Sequence, residues 1–296
     1  MKEKPFSKYQ ILANAVMIIW TLAIILPFIL LFMSSITDEN TLVANGYSFF
    51  PKKFSLASYS YIIKSGGQIL KAYGVSIGVT VVGTLLNVLL SALMAYPLSV
   101  KNLPGRNVMM FFVFFTMLFN GGIVPSYIMW TGTFHIKDTI FAQLLPNFLL
   151  SAWNVMMIRT YFTTSIPDGL YEAAEIDGAS QFTIFWKIVL PLGKPILVTM
   201  GTFAGLAYWN DWTNGRYYIV KNTGLYNVQN LLNQMVQNIQ FLTQSSNSNV
   251  TAAASTIPAT GIQMAIAFVA ILPIMLIFPS FQKYYAKGIA LGAVKG

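Results

Sequence analysis

With 296 residues, 55% of them hydrophobic and only 9% charged, and a mean hydropathy of +0.61, the chain is too apolar for a soluble domain, which carries about a quarter charged residues. Its net charge of +9 is spread thinly over many short segments, which argues for membrane topology and against a nucleic-acid partner. The absence of Cys excludes a disulfide, a thiolate nucleophile and a thiol metal site.

The apolar runs far exceed the length of barrel strands, about ten residues, so the chain reads as an all-α membrane protein. Residues 1–10 are short and basic, and residues 11–36 are almost purely apolar. A signal-peptide core is about 7–15 residues with a small-residue cleavage site, so this run reads as a retained first membrane helix, kinked at Pro27. Thr37–Lys71 is a polar, aromatic-bearing loop with amphipathic pieces. The second run, Ala72–Val100, is rich in Gly, Ser and Thr, residues that let helices approach closely. The third, Val108–Trp130, is interrupted by Asn120–Gly122 and Pro125. His135 lies in the turn that follows and reads as a solvated bystander. The fourth, Asp138–Tyr161, is interrupted by Gln143, Pro146, Asn147 and Asn154; the fifth, Ile188–Trp209, is entered through Pro191 and Pro195. Asn210–Thr256 is long and polar, and Leu231, Met235 and Ile239 at four-residue spacing predict a short amphipathic helix within it. The sixth run is Ile257–Phe281. Six crossings place both termini on one side. Eleven Lys and Arg fall on that side and seven on the other, and the eleven lie in shorter segments, so the expected orientation is N-in, C-in.

Between the fourth and fifth runs lies an acidic island, Ser165–Pro191. Pro167 fits the first turn of a helix, and Asp168 there complements the helix dipole. Asp168, Glu172 and Glu175 form one acidic stripe at i, i+4 and i+7. Gly178 fits a helix stop and Ser180 the cap of a second helix. A helix lying on anionic headgroups is usually basic, so this island has the wrong sign for lipid. Charge alone leaves two readings, a helix suited to a basic groove on a protein and a solvated inter-helix loop.

The string Glu172-Ala173-Ala174, then Gly178, then a nine-residue gap to Ile188-x-Leu190-Pro191, resembles the EAA motif of bacterial ABC-importer permeases. The fuller string, EAAEIDGAS followed by IVLP, is similar to the sugar-importer branch, the subfamily of the smaller maltose-permease subunit, and the resemblance spans essentially the whole chain. It implies a type I permease fold with a cytoplasmic coupling helix, and import of a saccharide, expected to be an oligosaccharide. The implied coupling residues are Leu170, Glu172, Ala173, Ala174, Asp177 and Gly178, with Ile188, Leu190 and Pro191 anchoring the elbow. Glu172 would pair with a basic residue of the ATPase, and the two alanines would permit close seating. The implied partners are a second related permease forming a heterodimer, two ATPase subunits, an extracytoplasmic substrate-binding protein and membrane lipid. The tail Gly288–Gly296 resembles one that reaches between the ATPases, which would place Gly292, Val294, Lys295 and Gly296 in contact with them.

The expected organisation is therefore a cytoplasmic N-terminus (1–10), a first helix (11–36), a five-helix core (72–283) with coupling loop 162–187 and extracytoplasmic loop 210–256, and a cytoplasmic tail (284–296). The binding protein is expected to touch loop 210–256. Polar groups within apolar runs are costly in a membrane and mark candidate pathway residues. They are Asn87, Asn120, Gln143, Asn147, Asn154, Trp209, Asn210 and Asp211, beside Trp212. Inter-helix hydrogen bonding is the competing role for each, and an interfacial anchor the competing role for the tryptophans.

No enzyme site is apparent, and no cofactor or metal is expected. There is no phosphate loop, since position 188 is Ile where Gly-Lys at 193–194 would require Gly. The string Gly74-Val75-Ser76-Ile77-Gly78 has the nucleophile-elbow pattern but lies in an apolar run, and reads as small-residue helix packing. The alternative function, a stand-alone channel or secondary carrier for a small polar solute, calls for internal repeats and embedded ionisable groups, and apart from Arg159 and Asp211 near run ends the runs lack charge.

Overall fold

The structure is a computed structural model of the full chain, described here for residues 8–64, 66–244 and 259–293. Among these, every regular element is helical, and the only extended pairing is an isolated antiparallel bridge between Thr37 and Phe54. Among the described residues, three helices are long and apolar enough to cross a membrane: Tyr9–Ser35, Gly66–Ser99 and Thr260–Ile277. Two bent pairs raise the number to five if each is one span. These are Arg106–Leu118 with Ile123–Thr133, bent by 111°, and Gln181–Leu192 with Lys194–Asn210, bent by 78°.

The breaks follow the residues that cannot continue a helix. Gly122 sits at φ +86°, next to Asn120, whose side-chain oxygen accepts from the Gly122 N–H at 2.8 Å. In the fourth apolar run only Phe141–Leu144 and Ala152–Ser165 are helical. Between them Pro146 removes a donor, and Asn147 takes the left-handed conformation at φ +67°. At 14 residues, Ala152–Ser165 falls short of the 20 or so needed to span a bilayer unaided.

The chain divides into two compact units. The first contains Met1–Ile69 and Leu232–Ile274. Here α1 (Lys8–Ser35) is exposed along nearly all its length, as befits a lipid-facing helix. The two amphipathic pieces are α2 (Glu39–Asn45) and α3 (Ala57–Lys64). Ile62 packs with Ile262, Ala265 and Ile266, joined by Tyr59, Ile69, Leu232 and Met235. The long last helix, Ala259–Ala293, is capped from far away in sequence. The Glu39 carboxylate accepts from the Thr260 and Gly261 N–H groups, each at 2.8 Å, at the positive end of the helix dipole. That helix runs without a break from the sixth apolar run into the expected tail.

The second unit contains Leu70–Leu231 and Met275–Gly296. Most of α4 (Gly66–Ser99) lies in it and packs closely against the helix Lys194–Asn210. A methyl group on Gly83 would lie 2.5 Å from the Tyr208 ring, and one on Gly201 would lie 3.3 Å from Val88. The expected packing at Gly74 and Gly78 is not present among the described residues. Added methyl groups there meet nothing within 4 Å, because both glycines face outward; only Ser76 of that string is buried, accepting from the Val228 N–H at 2.8 Å. The core of the unit comprises Ala92, Ala95 and Leu98 from α4, Val155, Ile158 and Phe162 from the helix Ala152–Ser165, and Ile184, Val189 and Met200 beyond.

Candidate functional site

The acidic island is a helical elbow built on that core. The helix Asp168–Ile176 starts after Pro167, which is its N-cap rather than its first helical residue. The helix ends in a Schellman motif: Ala179 N–H donates to Ala174 O (2.9 Å) and Gly178 N–H to Glu175 O (3.0 Å), with Gly178 at φ +76°. Ser180 then caps the next helix, its Oγ accepting from the Thr183 N–H at 3.3 Å. That helix passes through a π-helical turn, Phe185–Val189, into Leu190–Leu192.

One face of the elbow is sunk and the other bare. Ala174 is buried, and Tyr171, Ala179, Ile188 and Leu190 pack against the Phe162 core. Burial pushes the Tyr171 hydroxyl up to about 12. Leu170, Glu172, Ala173, Ile176, Asp177 and Gly178 are exposed, Ile176 at 86%. The three stripe acids differ in their bonding. Asp168 pairs with Lys101 from the turn after α4. Glu175 accepts from Gln181 Nε2 at 2.9 Å, and Gln181 in turn accepts from the Tyr96 hydroxyl. Glu172 has no partner among the described residues. Of the stripe acids, Glu172 thus presents the one uncommitted carboxylate, flanked by Leu170, Ala173 and Ile176. Neither Lys101–Asp168 nor Tyr96–Gln181–Glu175 is readable from the sequence, since each joins residues six to 85 positions apart.

The polar candidates within the apolar runs divide in the same way. Asn154 donates to Asn87 Oδ1 (2.7 Å), and Asn87 donates to the Phe148 carbonyl (2.6 Å). Gln143 is buried, donating to the Leu225 carbonyl and Asn230. Asn227 and Asn230, which the sequence reading did not single out, tie the same region together: Asn227 donates to the Asp211 carbonyl and Asn230 to that of Trp212. Their only signal is the Asn-rich composition of the stretch. Asp211 is buried, its Oδ1 accepting from the Thr213 (2.9 Å) and Asn214 (3.3 Å) N–H groups while its Oδ2 has no partner among the described residues. Burial pushes this carboxyl up to about 6 against those two bonds. Trp209 is buried, with its ring 6.3 Å from that of Tyr73. Asn120, Asn147 and Asn210 are exposed. Asn147 donates to Asn214 Oδ1 at 3.4 Å, which brings Asn147 next to the turn that carries Asn210 and Trp212.

Asp138 closes a further clasp. Its Oδ1 accepts from the N–H groups of Val220, Lys221 and Asn222, at 2.7, 2.7 and 3.2 Å. The Lys221 N–H foremost holds this carboxyl below its ordinary range, burial opposes that, and the other two N–H groups and Lys137 assist. Of the expected tail contacts, Gly292 lies in the last helix, and Val294, Lys295 and Gly296 lie outside the described residues.

Residues 6–291 match the family described as "Binding-protein-dependent transport system inner membrane component". The chain belongs to this family. The permease is 36% identical over 272 residues to Protein LplC of Bacillus subtilis (strain 168), covering 92% of this chain and 90% of that one. It is 36% identical over 288 residues to the polygalacturonan/rhamnogalacturonan transport system permease protein YtcP of the same organism, covering 97% and 98%. Among solved structures, it matches a chain of a bacterial ABC transporter involved in import of the acidic polysaccharide alginate. That match has a TM-score of 0.79 and 26% identity, covering 96% of this permease and 100% of that chain. The protein is a multi-pass plasma-membrane permease subunit of an ABC importer. It is not itself an enzyme, because ATP hydrolysis in such importers belongs to a separate subunit, and it works with another permease, an ATPase and a substrate-binding protein.

Proposed function

We propose that this permease carries a saccharide, in oligosaccharide form, through a pathway of which it forms half, and that the elbow at Asp168–Gly178 is the lever by which ATPases drive it. In this reading a second, related permease completes a heterodimer, two ATPase subunits lie beneath it, and an extracytoplasmic binding protein delivers cargo at loop 210–256. The chain crosses the membrane six times with both termini in the cytoplasm, and the fourth crossing is the broken segment around Pro146. The domain limits are those given above, with the coupling loop at 162–187 and the tail from 284. Cargo class is supported by the names of the relatives, two of which handle polygalacturonan, rhamnogalacturonan or alginate, all uronic-acid-containing polymers. An acidic oligosaccharide is therefore the favoured substrate.

The observation that carries the coupling role is the two-faced elbow. Ala174 and Ile188 are set into the transmembrane core, while Leu170, Ala173, Ile176 and the free carboxylate of Glu172 face away from the chain. Displacement of the outer face is transmitted to the helices Ala152–Ser165 and Lys194–Asn210 through the inner one, because packed cores shift as blocks. Leu190 belongs to the same packed anchor, and Pro191 follows it in the first turn of the short helix. Gly292, Val294, Lys295 and Gly296 are proposed to extend the contact with the ATPases. Asn87, Gln143, Asn154, Trp209 and Asp211 would shape the pathway wall from within, and Asn120, Asn147 and Asn210 would reach the cargo.

Replacing Glu172 by Lys reverses the charge of an exposed group with no internal partner. The complete importer should assemble in the membrane with normal yield, yet lose substrate-stimulated ATP hydrolysis and uptake together. Wild-type uptake by Glu172→Lys would remove the support for docking.

A further inference from the structure

Close beside the buried cluster lies an exposed cation with no ion pair among the described residues. Arg216 lies on the short helix Thr213–Tyr218, exposed, with its guanidinium carbon 5.7 Å from the centroid of the Trp212 ring. Trp212 is itself 41% exposed, so the ring and the guanidinium share an open surface. Several other cations are engaged within the chain. Lys53 pairs with Asp38 and Lys101 with Asp168, Arg159 donates to the Leu98 carbonyl, and Lys137 sits beside Asp138. Arg216 has no ion pair or hydrogen bond among the described residues, although Asp211 is only five positions away. That carboxylate is turned inward, bound to the Thr213 and Asn214 N–H groups. The exposed amides of Asn210 and Asn147 flank the same turn, the latter through its bond to Asn214.

We propose that Trp212 and Arg216 form a subsite for a uronic-acid residue of the transported oligosaccharide; this rests on the saccharide reading above and assigns its acidic specificity to named residues. The chemistry fits each part of a uronate. A pyranose presents an apolar C–H face that stacks on an indole, and its carboxylate matches the planar two-donor fork of a guanidinium. The Trp ring holds that fork in place before the ligand arrives, so less side-chain freedom is lost on binding. A neutral sugar could use the indole and the amides but would gain nothing from Arg216.

The test uses the complete importer with its binding protein in proteoliposomes, supplied with trigalacturonate, with the same trisaccharide as its methyl ester, or with maltotriose. Arg216→Gln should lower uptake of the free acid at sub-saturating concentration about ten-fold, the worth of a charge-assisted hydrogen bond, and leave the ester within about two-fold. Arg216→Lys should fall between, since it keeps the charge but loses the fork. Equal loss for acid and ester, or no loss for either, overturns the subsite. Wild-type importer that accepts maltotriose but not trigalacturonate overturns the subsite while the saccharide reading stands. Wild-type importer that accepts none of the three overturns both.

Discussion

The turn at Gly178 allows backbone conformation to be separated from packing. Gly178 has φ +76°, and a methyl group added there would meet nothing within 4 Å. Any penalty for a side chain therefore arises in the residue's own backbone. An L-residue held in the left-handed region costs about 1–2 kcal/mol, less for Asn, whose side chain tolerates it, and more for a β-branched residue. The conformation is held by the Ala179-to-Ala174 and Gly178-to-Glu175 hydrogen bonds, so the cost is expressed as opening of the elbow. With 1.4 kcal/mol equal to a factor of ten, Gly178→Ala should raise the open population about five-fold and Gly178→Val about thirty-fold, with Gly178→Asn near two-fold. A Glu-specific protease acting at Glu172 and Glu175 reports that population when opening is fast relative to cleavage. Uptake by the reconstituted importer should decline in the same order. Equal cleavage of the Val and Asn variants would refute the argument, because it would mean that φ at this position does not control the elbow.

Two further outcomes follow from the second unit. Gly193→Ala places a methyl 2.5 Å from Phe162 and 2.9 Å from the Val189 carbonyl, and Phe162 is fully buried with nowhere to go; overpacking of this kind costs about 1–3 kcal/mol, which should appear as a clear drop in the thermal midpoint of the detergent-solubilised permease, whereas Gly74→Ala, in open space within a helix, should not lower it. For Asp211, whose folded pKa is raised to about 6, the carboxyl adds stability below the ordinary carboxylate value, and that contribution is lost as pH rises through about 6. Asp211→Asn keeps an oxygen for the Thr213 and Asn214 N–H groups without the buried charge, so it should stabilise the permease by about 2 kcal/mol at pH 7.5 and by about half as much at pH 5; thermal midpoints compared at the two pH values give the answer, and a destabilised variant at pH 7.5 would contradict it.

Local chemistry alone determined much of this protein. Helix, stop, cap and second helix at 168–184 follow from Asp168, Gly178 and Ser180, because caps and left-handed turns depend on residues within a few positions of one another. The apolar runs likewise announced an all-helical membrane chain, and the breaks at Asn120–Gly122 and Pro146–Asn147 stood in the sequence as helix breakers. Only the tertiary structure decided which polar groups stay available. Asp168 and Glu175 look equivalent to Glu172 along the helix, yet Lys101 and Gln181 engage the first two and leave the third bare. Gly83 packs against Tyr208 while Gly74 and Gly78, on the same helix, face outward. Glu39 caps a helix that begins more than two hundred residues later. The physical reason is common to all three. A hydrogen bond, an ion pair or a close helix contact depends on distance in space, and in a bundle of long helices that distance bears little relation to separation along the chain.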